Sequence, residues 1–426
     1  MLLTPQVDLI RPSLSADSWG RYYTSEWISE CLVNSIQAKQ PKVIVELGSG
    51  GGSLATAAAA RWQNAHFVTV DTDGTAQPNI NRSGFSQLAH THHVHDVLDD
   101  ALADNIGLSL ASVDVAVCNP PYVRPRWRDS FGLILEDAGL SGALQSVHDA
   151  GADLLFIAQN LRLLKRHGKL GLILPDGLVT AEKFRGVRSV LLREHKIEQV
   201  IQLPRRVFTS TEAQTYLVIL AKRSGLTESV ALREMSTDGI LSKPVLVPSD
   251  LAQQRLDYRF HSSTQAKFRT VGVSGRKHLT IGDVTLSISR GSVNSSQLKL
   301  LKWPVFHLGD FASPLSFNRK HVVSKKFGLS KKSLNILPAS TRIALPGDIL
   351  VARIGRNLED KVSMVQDKPC IISDCVFCLR IAVEYRENVF SFLKSDLGRL
   401  ALAASAHGVG ARYLSRSDLL GLVLKK

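Results

Sequence analysis

The chain has no run of apolar residues long enough to cross a bilayer, which excludes a membrane-spanning helix. It is short of cysteine. Five in 426 residues, an odd number without a framework of paired spacings, argue against a disulfide-stapled secreted fold and for a reducing cytoplasm. Cys375 and Cys378 have Cys-x-x-Cys spacing, but no second pair exists to complete a four-ligand zinc site. They lie in the strand-like run 371–379, where residues three apart face opposite sides, so they read as core cysteines and no metal is expected. His90, His92, His93 and His95 are dense but read as a surface edge leading into Asp96. Acidic residues are also short, 38 against 52 lysines and arginines. The resulting net charge of +14 suits a polyanionic partner. The start, Met1-Leu2-Leu3-Thr4-Pro5, lacks a charged region and an extended apolar core, so a signal peptide is not expected.

What is present begins with a hydrophobic content of 44%, that of a globular chain, and a length that accommodates two domains. The β-branched run Val43-Ile44-Val45-Glu46-Leu47 predicts a strand that enters Gly48-Ser49-Gly50-Gly51-Gly52 and then a helix over residues 53–62. Glycines there permit positive φ and let a ligand approach the backbone. A second strand, Phe67-Val68-Thr69-Val70, ends in Asp71, and an acid about 20 positions past such a loop is placed to bind ribose hydroxyls. A nicotinamide dinucleotide site is disfavoured. The Gly-x-Gly-x-x-Gly spacing fails from Gly48 at Ser53 and from Gly50 ends on Ala55.

The strongest feature lies two strands on. The apolar run Val113-Asp114-Val115-Ala116-Val117-Cys118 reads as a buried strand, closed by Asn119-Pro120-Pro121-Tyr122. Proline donates no ladder hydrogen bond, so the strand stops and Asn119 is held at its carboxyl end, where open α/β sheets bind ligands. Taken alone, Asn-Pro is also a common turn dipeptide. After a glycine loop, the tetrapeptide offers an amide oxygen, a proline carbonyl and an aromatic face, which together suit a planar group bearing an NH2.

In this order the motifs resemble those of S-adenosylmethionine-dependent amino-methyltransferases of DNA, in the arrangement with cofactor motifs first and target-recognition domain last. That group includes the Taq-type adenine enzymes and type I modification subunits. The resemblance implies an α/β Rossmann-like domain, a mostly parallel sheet with helices on both faces, followed by a mixed α+β target-recognition domain. Gly20-Arg21-Tyr22-Tyr23-Thr24-Ser25 resembles the N-terminal cofactor motif, with Ser25 where the family usually has proline. By the same resemblance Tyr23, Thr24, Glu46, Gly48, Gly50, Asp71 and Asp96 hold the cofactor, Asp71 at the ribose and Asp96 at the adenine amine, with Asn119 alongside. Asn119, Pro120, Pro121 and Tyr122 form the catalytic motif, and Tyr122 and Phe208 stack a flipped base. Residues 163–169 resemble the helix end and turn before a strand over 170–175, and residues 214–222 a closing hairpin strand.

The chain changes character after Lys222. The reading is a catalytic domain over 1–224, a linker over 225–250 and a target-recognition domain over 251–426. The last part resembles half of a type I specificity subunit, in residues 345–355 and 392–415. It carries recurring Gly-Asp pairs, at 282–283, 309–310 and 347–348, that predict tight turns entering strands. Arg319, Lys320, Lys325, Lys326, Lys331 and Lys332 are candidate phosphate contacts.

The chemistry expected follows from residue types. An exocyclic adenine amine is a poor nucleophile because its lone pair is delocalised. If Asn119 Oδ1 and the Pro120 carbonyl each accept one amine hydrogen, the lone pair is freed, and orientation alone can supply roughly 7–11 kcal/mol. The base must leave the duplex, and stacking can return roughly 1–3 kcal/mol. Cytosine-N4 methylation, methylation of RNA or of a protein glutamine, and a DNA-binding module with a decayed cofactor site compete with adenine-N6 methylation. The expected partners are double-stranded DNA and no membrane, with the chain a monomer or weak dimer in a prokaryotic cytoplasm. No Pro-Asp…Asp/Glu-x-Lys nuclease arrangement stands out, so any cognate nuclease is a separate chain.

Overall fold

The structure, a computed structural model, describes residues 24–75, 88–205, 207–208, 214–223, 225–262, 279–294, 296–299, 301, 303–311, 322–407 and 412–424. The chain divides into two compact units, Met1–Leu256 and Asp257–Lys426.

Among the described residues the first unit is built on nine strands: β1 Val43–Leu47, β2 His66–Asp71, β3 His90–Val94, β4 Val113–Cys118, β5 Leu164–Pro175, β6 Lys196–Gln202, β7 Thr215–Ala221, β8 Ser229–Glu234 and β9 Val245–Pro248. Their order across the sheet is β3-β2-β1-β4-β5-β7-β6-β8-β9. β3, β2, β1, β4 and β5 run parallel, and β7 is antiparallel to both its neighbours. A central parallel strand is covered on both faces, which is why β1 and β4 are nearly continuous apolar runs rather than alternating ones. The strand order reverses between β1 and β4. The crevice at their carboxyl ends is therefore the place where such a sheet binds ligands.

Helices α1 Glu26–Ser35 and α2 Ser53–Arg61 cover one face, burying Ile28, Leu32, Leu54 and Ala58 against Ile44, Val115 and Val117. Helices α3 Leu102–Asn105, α4 Ser130–Asp137, α5 Ala152–Leu163, α6 Asp176–Thr180, α7 Arg185–Glu194 and α8 Ser249–Ala252 also belong to the unit. α5 packs against β4 and β5. β3 is an edge strand, as its histidines imply. Thr69 Oγ1 bonds His90 Nε2 at 2.8 Å and His92 Nδ1 at 2.9 Å, and burial lowers the pKa of both imidazoles. β5 starts earlier than its sequence predicts, at Leu164. It absorbs the expected turn with an irregular register and a positive φ of 66° at His167.

Residues 225–250 are not a linker. β8 pairs parallel to β6 and β9 pairs antiparallel to β8, so this segment extends the sheet, and the boundary between units falls after Leu256. Val230, Leu232 and Val247 are buried, which a linker does not provide for. The turn signals around Gly225 mark only the connection between β7 and β8. Beyond β9, Arg188, itself fully buried, donates to the carbonyls of Gln253, Gln254, Leu178 and Ala181 at 2.6–3.0 Å, tying the end of the unit to α6 and α7.

The second unit contains β10 Thr285–Arg290, β11 Val305–Phe306, β12 Ile343–Ala344, β13 Ile349–Ala352, β14 Ile354–Gly355, β15 Val362–Met364, β16 Cys370–Ile372, β17 Val376–Ile381 and β18 Arg412–Tyr413. They form sheets ordered β10-β17-β13-β15, β11-β16-β12 and β14-β18, the first two of which share a core with helices Arg386–Lys394 and Asp396–Ser405. This is the mixed α+β architecture expected. The Gly-Asp pairs share a device other than the predicted turn. Asp283, Asp310 and Asp348 each accept the backbone N–H three residues earlier, from Thr280, His307 and Leu345, at 2.8, 3.0 and 2.8 Å. Only the pair at 347–348 leads directly into a strand, and among the three glycines only Gly347 has a positive φ. Cys378 is buried in β17, whereas Cys375 is half-buried in the turn before it.

Candidate active site

β1 ends in Leu47, and the glycine loop reverses direction within a few residues. Gly48, Gly50 and Gly52 have φ of 71°, 48° and 76°, a region that costs residues with a Cβ. Gly48 has a second reason to be glycine, because a Cβ there would stand 2.9 Å from the Phe156 ring on α5. The loop is laced to β2: Gly48 N and Ser49 N donate to Val70 O at 2.8 and 3.0 Å, and Gly50 N donates to Asp71 Oδ2 at 2.7 Å. Asp71 Oδ1 accepts from Asp73 N at 2.9 Å. Two bonds leave a carboxylate further lone pairs for a ligand.

Glu46 is buried on the α2 face of β1. Its Oε2 accepts from Ala55 N at 2.8 Å. Burial, with the Asp71 carboxylate adding to it, pushes its pKa up to about 8, against the pull of the backbone N–H bonds.

β4 delivers Asn119. Its Nδ2 donates to Thr24 Oγ1 at 3.0 Å, and the Tyr122 hydroxyl donates to its Oδ1 at 2.9 Å. The same hydroxyl lies 3.1 Å from Ile173 O of β5. The amide is therefore oriented from both ends. The next residue, Pro120, is buried. Asp96, just past β3, accepts from Leu98 N at 2.9 Å and from Arg128 Nη1 at 2.8 Å.

These groups surround one cavity of about 430 Å³, within the range of small-molecule sites. Its walls include Thr24, Glu46, Gly48, Gly50, Asp71, Asp96, Asn119 and Pro121. The Ser49 hydroxyl, buried in the same wall, has no hydrogen-bond partner among the described residues, which marks a place for a polar ligand atom.

Not every expected residue is there. Tyr23 lies outside the described residues. Tyr122 is half-buried beside Asn119 and is not part of the cavity wall. Phe208 is a correction. It is only 4% exposed, in the core with Leu203 and Leu217 rather than at the cavity, and the base-stacking role drawn for it is not retained. A phenyl ring gains about 1.5–3 kcal/mol from full burial, and nothing in its local sequence opposes that. Sequence reading missed Arg128 and Phe156. Arg128 could have been suspected from its closeness to the Asn119 motif, whereas Phe156 sits mid-helix with no local signal.

In the second unit Arg319 and Lys320 lie outside the described residues. Lys325 and Lys326 are exposed on the turn Lys325–Phe327, and Lys332 is exposed on Lys331–Leu334. The Lys331 side chain lies outside the described residues. Lys326 Nζ stands 3.5 Å from Asp310 and 4.6 Å from the centre of the Phe327 ring. No helix among the described residues is long and apolar enough to cross a membrane.

A family model described as N-6 DNA Methylase matches residues 12–252. The chain is similar to the EcoEI type I restriction enzyme methylase subunit of Escherichia coli, 24% identical over 231 residues, covering 50% of this chain and 45% of that protein. It is also similar to the MpnII type I methylase subunit of Mycoplasma pneumoniae, 25% identical over 131 residues, covering 30% of this chain and 24% of that one. Among solved structures, the type IIG restriction endonuclease BpuSI superposes with a TM-score of 0.49 at 16% identity, covering 94% of this chain and 57% of that one. The chain spans less than half the length of the curated relatives it matches.

Proposed function

The chain belongs to the N-6 DNA Methylase family, and from that premise we propose that it is a site-specific DNA adenine-N6 methyltransferase using S-adenosylmethionine. The observation that carries this is that Asn119, Glu46, Asp71 and Asp96 all line one and the same cavity.

The residues present fit the cofactor. Asp71 retains acceptor capacity for ribose hydroxyls, Asp96 for an adenine amine, and the glycine loop leaves its backbone open to close approach. The unpartnered Ser49 hydroxyl supplies a further polar contact. Bound, S-adenosylmethionine would supply an electrophilic methyl group on a sulfonium. The protein's part is to present the amine. Asn119 Oδ1 is an acceptor whose direction is set by Thr24 and Tyr122, and the Pro120 carbonyl is the second acceptor on the same rigid turn. Together they take the two amine hydrogens and draw the nitrogen lone pair out of conjugation. No general base is needed to begin this, because positioning is the main contribution.

On this reading the partners are double-stranded DNA and a separately encoded restriction endonuclease, in a restriction-modification or related defence system. The second unit is the target reader, with Lys325, Lys326 and Lys332 as sequence-independent phosphate contacts. The test is sequencing with modified-base detection on DNA from cells expressing the chain and its Asn119→Ala variant. N6-methyladenine at one motif, lost in the variant, is expected. N4-methylcytosine would move the assignment to the other amine. Unmodified DNA from both, with the chain folded and expressed, would remove it.

A further inference from the structure

The segment leaving the Asn119 motif, Tyr122-Val123-Arg124-Pro125-Arg126-Trp127-Arg128, has arginine at three alternate positions. Two of them are committed. Arg124 Nη2 donates to His148 O at 2.6 Å and to Asp149 Oδ1 at 3.3 Å. Arg128 bonds Asp96, donates to Leu98 O at 3.4 Å, and lays its guanidinium 4.6 Å from the centre of the Phe131 ring. Between them Trp127 packs edge-on to Phe131 at 5.5 Å and lies tilted at 56° to His148 at 4.4 Å. The segment has no regular secondary structure, yet it is fastened at both ends and in the middle.

Arg126 is the exception. It is exposed and has no ion pair or hydrogen bond among the described residues. Its neighbours Pro125 and Arg128 both line the cavity onto which Asn119 opens. Its backbone is therefore fixed at the mouth of the site while its side chain remains uncommitted. A guanidinium fork matches a phosphate in a bidentate manner, and a prefixed backbone reduces the ordering that such a contact requires.

We propose that Arg126 grips a backbone phosphate flanking the nucleotide whose base enters the site. This rests on the DNA reading above and adds a contact made by the catalytic unit itself, apart from the lysines of the second unit. Such a contact carries no sequence information. It holds the strand at the point where a base must leave the stack.

The test uses the full chain and its Arg126→Gln and Arg126→Lys variants. Binding is measured by fluorescence anisotropy with S-adenosylhomocysteine present, on a duplex carrying the motif found by modified-base sequencing. Across about 50 to 200 mM salt, the slope of log K against log salt should become shallower by about 0.9 in R126Q and recover in R126K. Binding of S-adenosylhomocysteine alone should stay unchanged in both variants, which checks that the loop and cavity survive. If wild type binds the duplex and the R126Q slope coincides with it, the inference falls and the DNA reading stands. If wild type binds no duplex at any salt, the DNA reading falls and takes this inference with it.

Discussion

Changing the pH around Glu46 should change both the stability of the first unit and its affinity for a cationic cofactor, in opposite directions. The carboxyl is buried on β1, and burial, with the Asp71 carboxylate adding to it, raises its pKa from 4.5 to about 8. Between those values the folded chain keeps a proton that the unfolded chain has released. Stability therefore falls as pH rises through that window and levels off above about 8. At about 1.4 kcal/mol per tenfold, the ceiling on that loss is roughly 5 kcal/mol. A ligand bearing a sulfonium and an ammonium favours the ionised carboxylate, so its apparent Kd should fall about tenfold per pH unit up to about 8, then flatten. Titration calorimetry near neutral pH, in two buffers of different ionisation enthalpy, should report close to one proton released per S-adenosylmethionine bound. The ligand's own amine titrates in the same range. The informative quantity is thus the difference from Glu46→Gln, which should bind with a shallow pH dependence and release correspondingly fewer protons. Equal proton release and parallel pH profiles for wild type and E46Q would refute the reasoning, because Glu46 would then keep one protonation state through binding.

Further outcomes are expected from other parts of the first unit. Gly48→Ala forces a Cβ toward the Phe156 ring at a φ of 71°. The left-handed strain alone is about 1–2 kcal/mol, so cofactor Kd should rise roughly tenfold or more by calorimetry, and an unchanged Kd would show that the loop relaxes freely. Arg188→Met preserves bulk but removes the guanidinium donor from four backbone carbonyls, of which Ala181 O keeps the Phe184 N–H. Denaturant unfolding should show a loss of about 3–5 kcal/mol, and a loss under about 1 kcal/mol would mean that water replaces the guanidinium. Truncation after residue 256 should leave a unit that melts cooperatively and binds S-adenosylhomocysteine. Truncation after 224 removes β8, β9 and the Gln253 and Gln254 carbonyls, and should abolish cooperative melting. A stable, ligand-binding 1–224 fragment would return residues 225–250 to the status of a linker.

Several parts of the fold and site were readable before any coordinates, because their signals are local. β1 and β4 run over the residues their β-branched and apolar patterns predict, since glycines stop one and two prolines stop the other. The parallel character of the sheet then follows from alternation with helices, though not the order of its strands. This brings Glu46, Asp71, Asp96 and Asn119 to one cavity although 73 positions separate the first from the last.

What the tertiary structure alone decided depends on partners distant in sequence. The Phe208 ring could equally have served a base or a core, and the surrounding apolar side chains from α1, β6 and β7 place it in the core. Residues 225–250 look like a connection because their buried positions are few and their turn residues conspicuous. Only the open edge of β6 makes them strands. Arg124, Arg126 and Arg128 are alike in sequence. They differ in fate because Asp149 and Asp96, 25 and 32 residues from the arginines they hold, happen to stand within reach of the outer two. A side chain's type determines what it can bond. Which partner arrives is a property of the packed sheet.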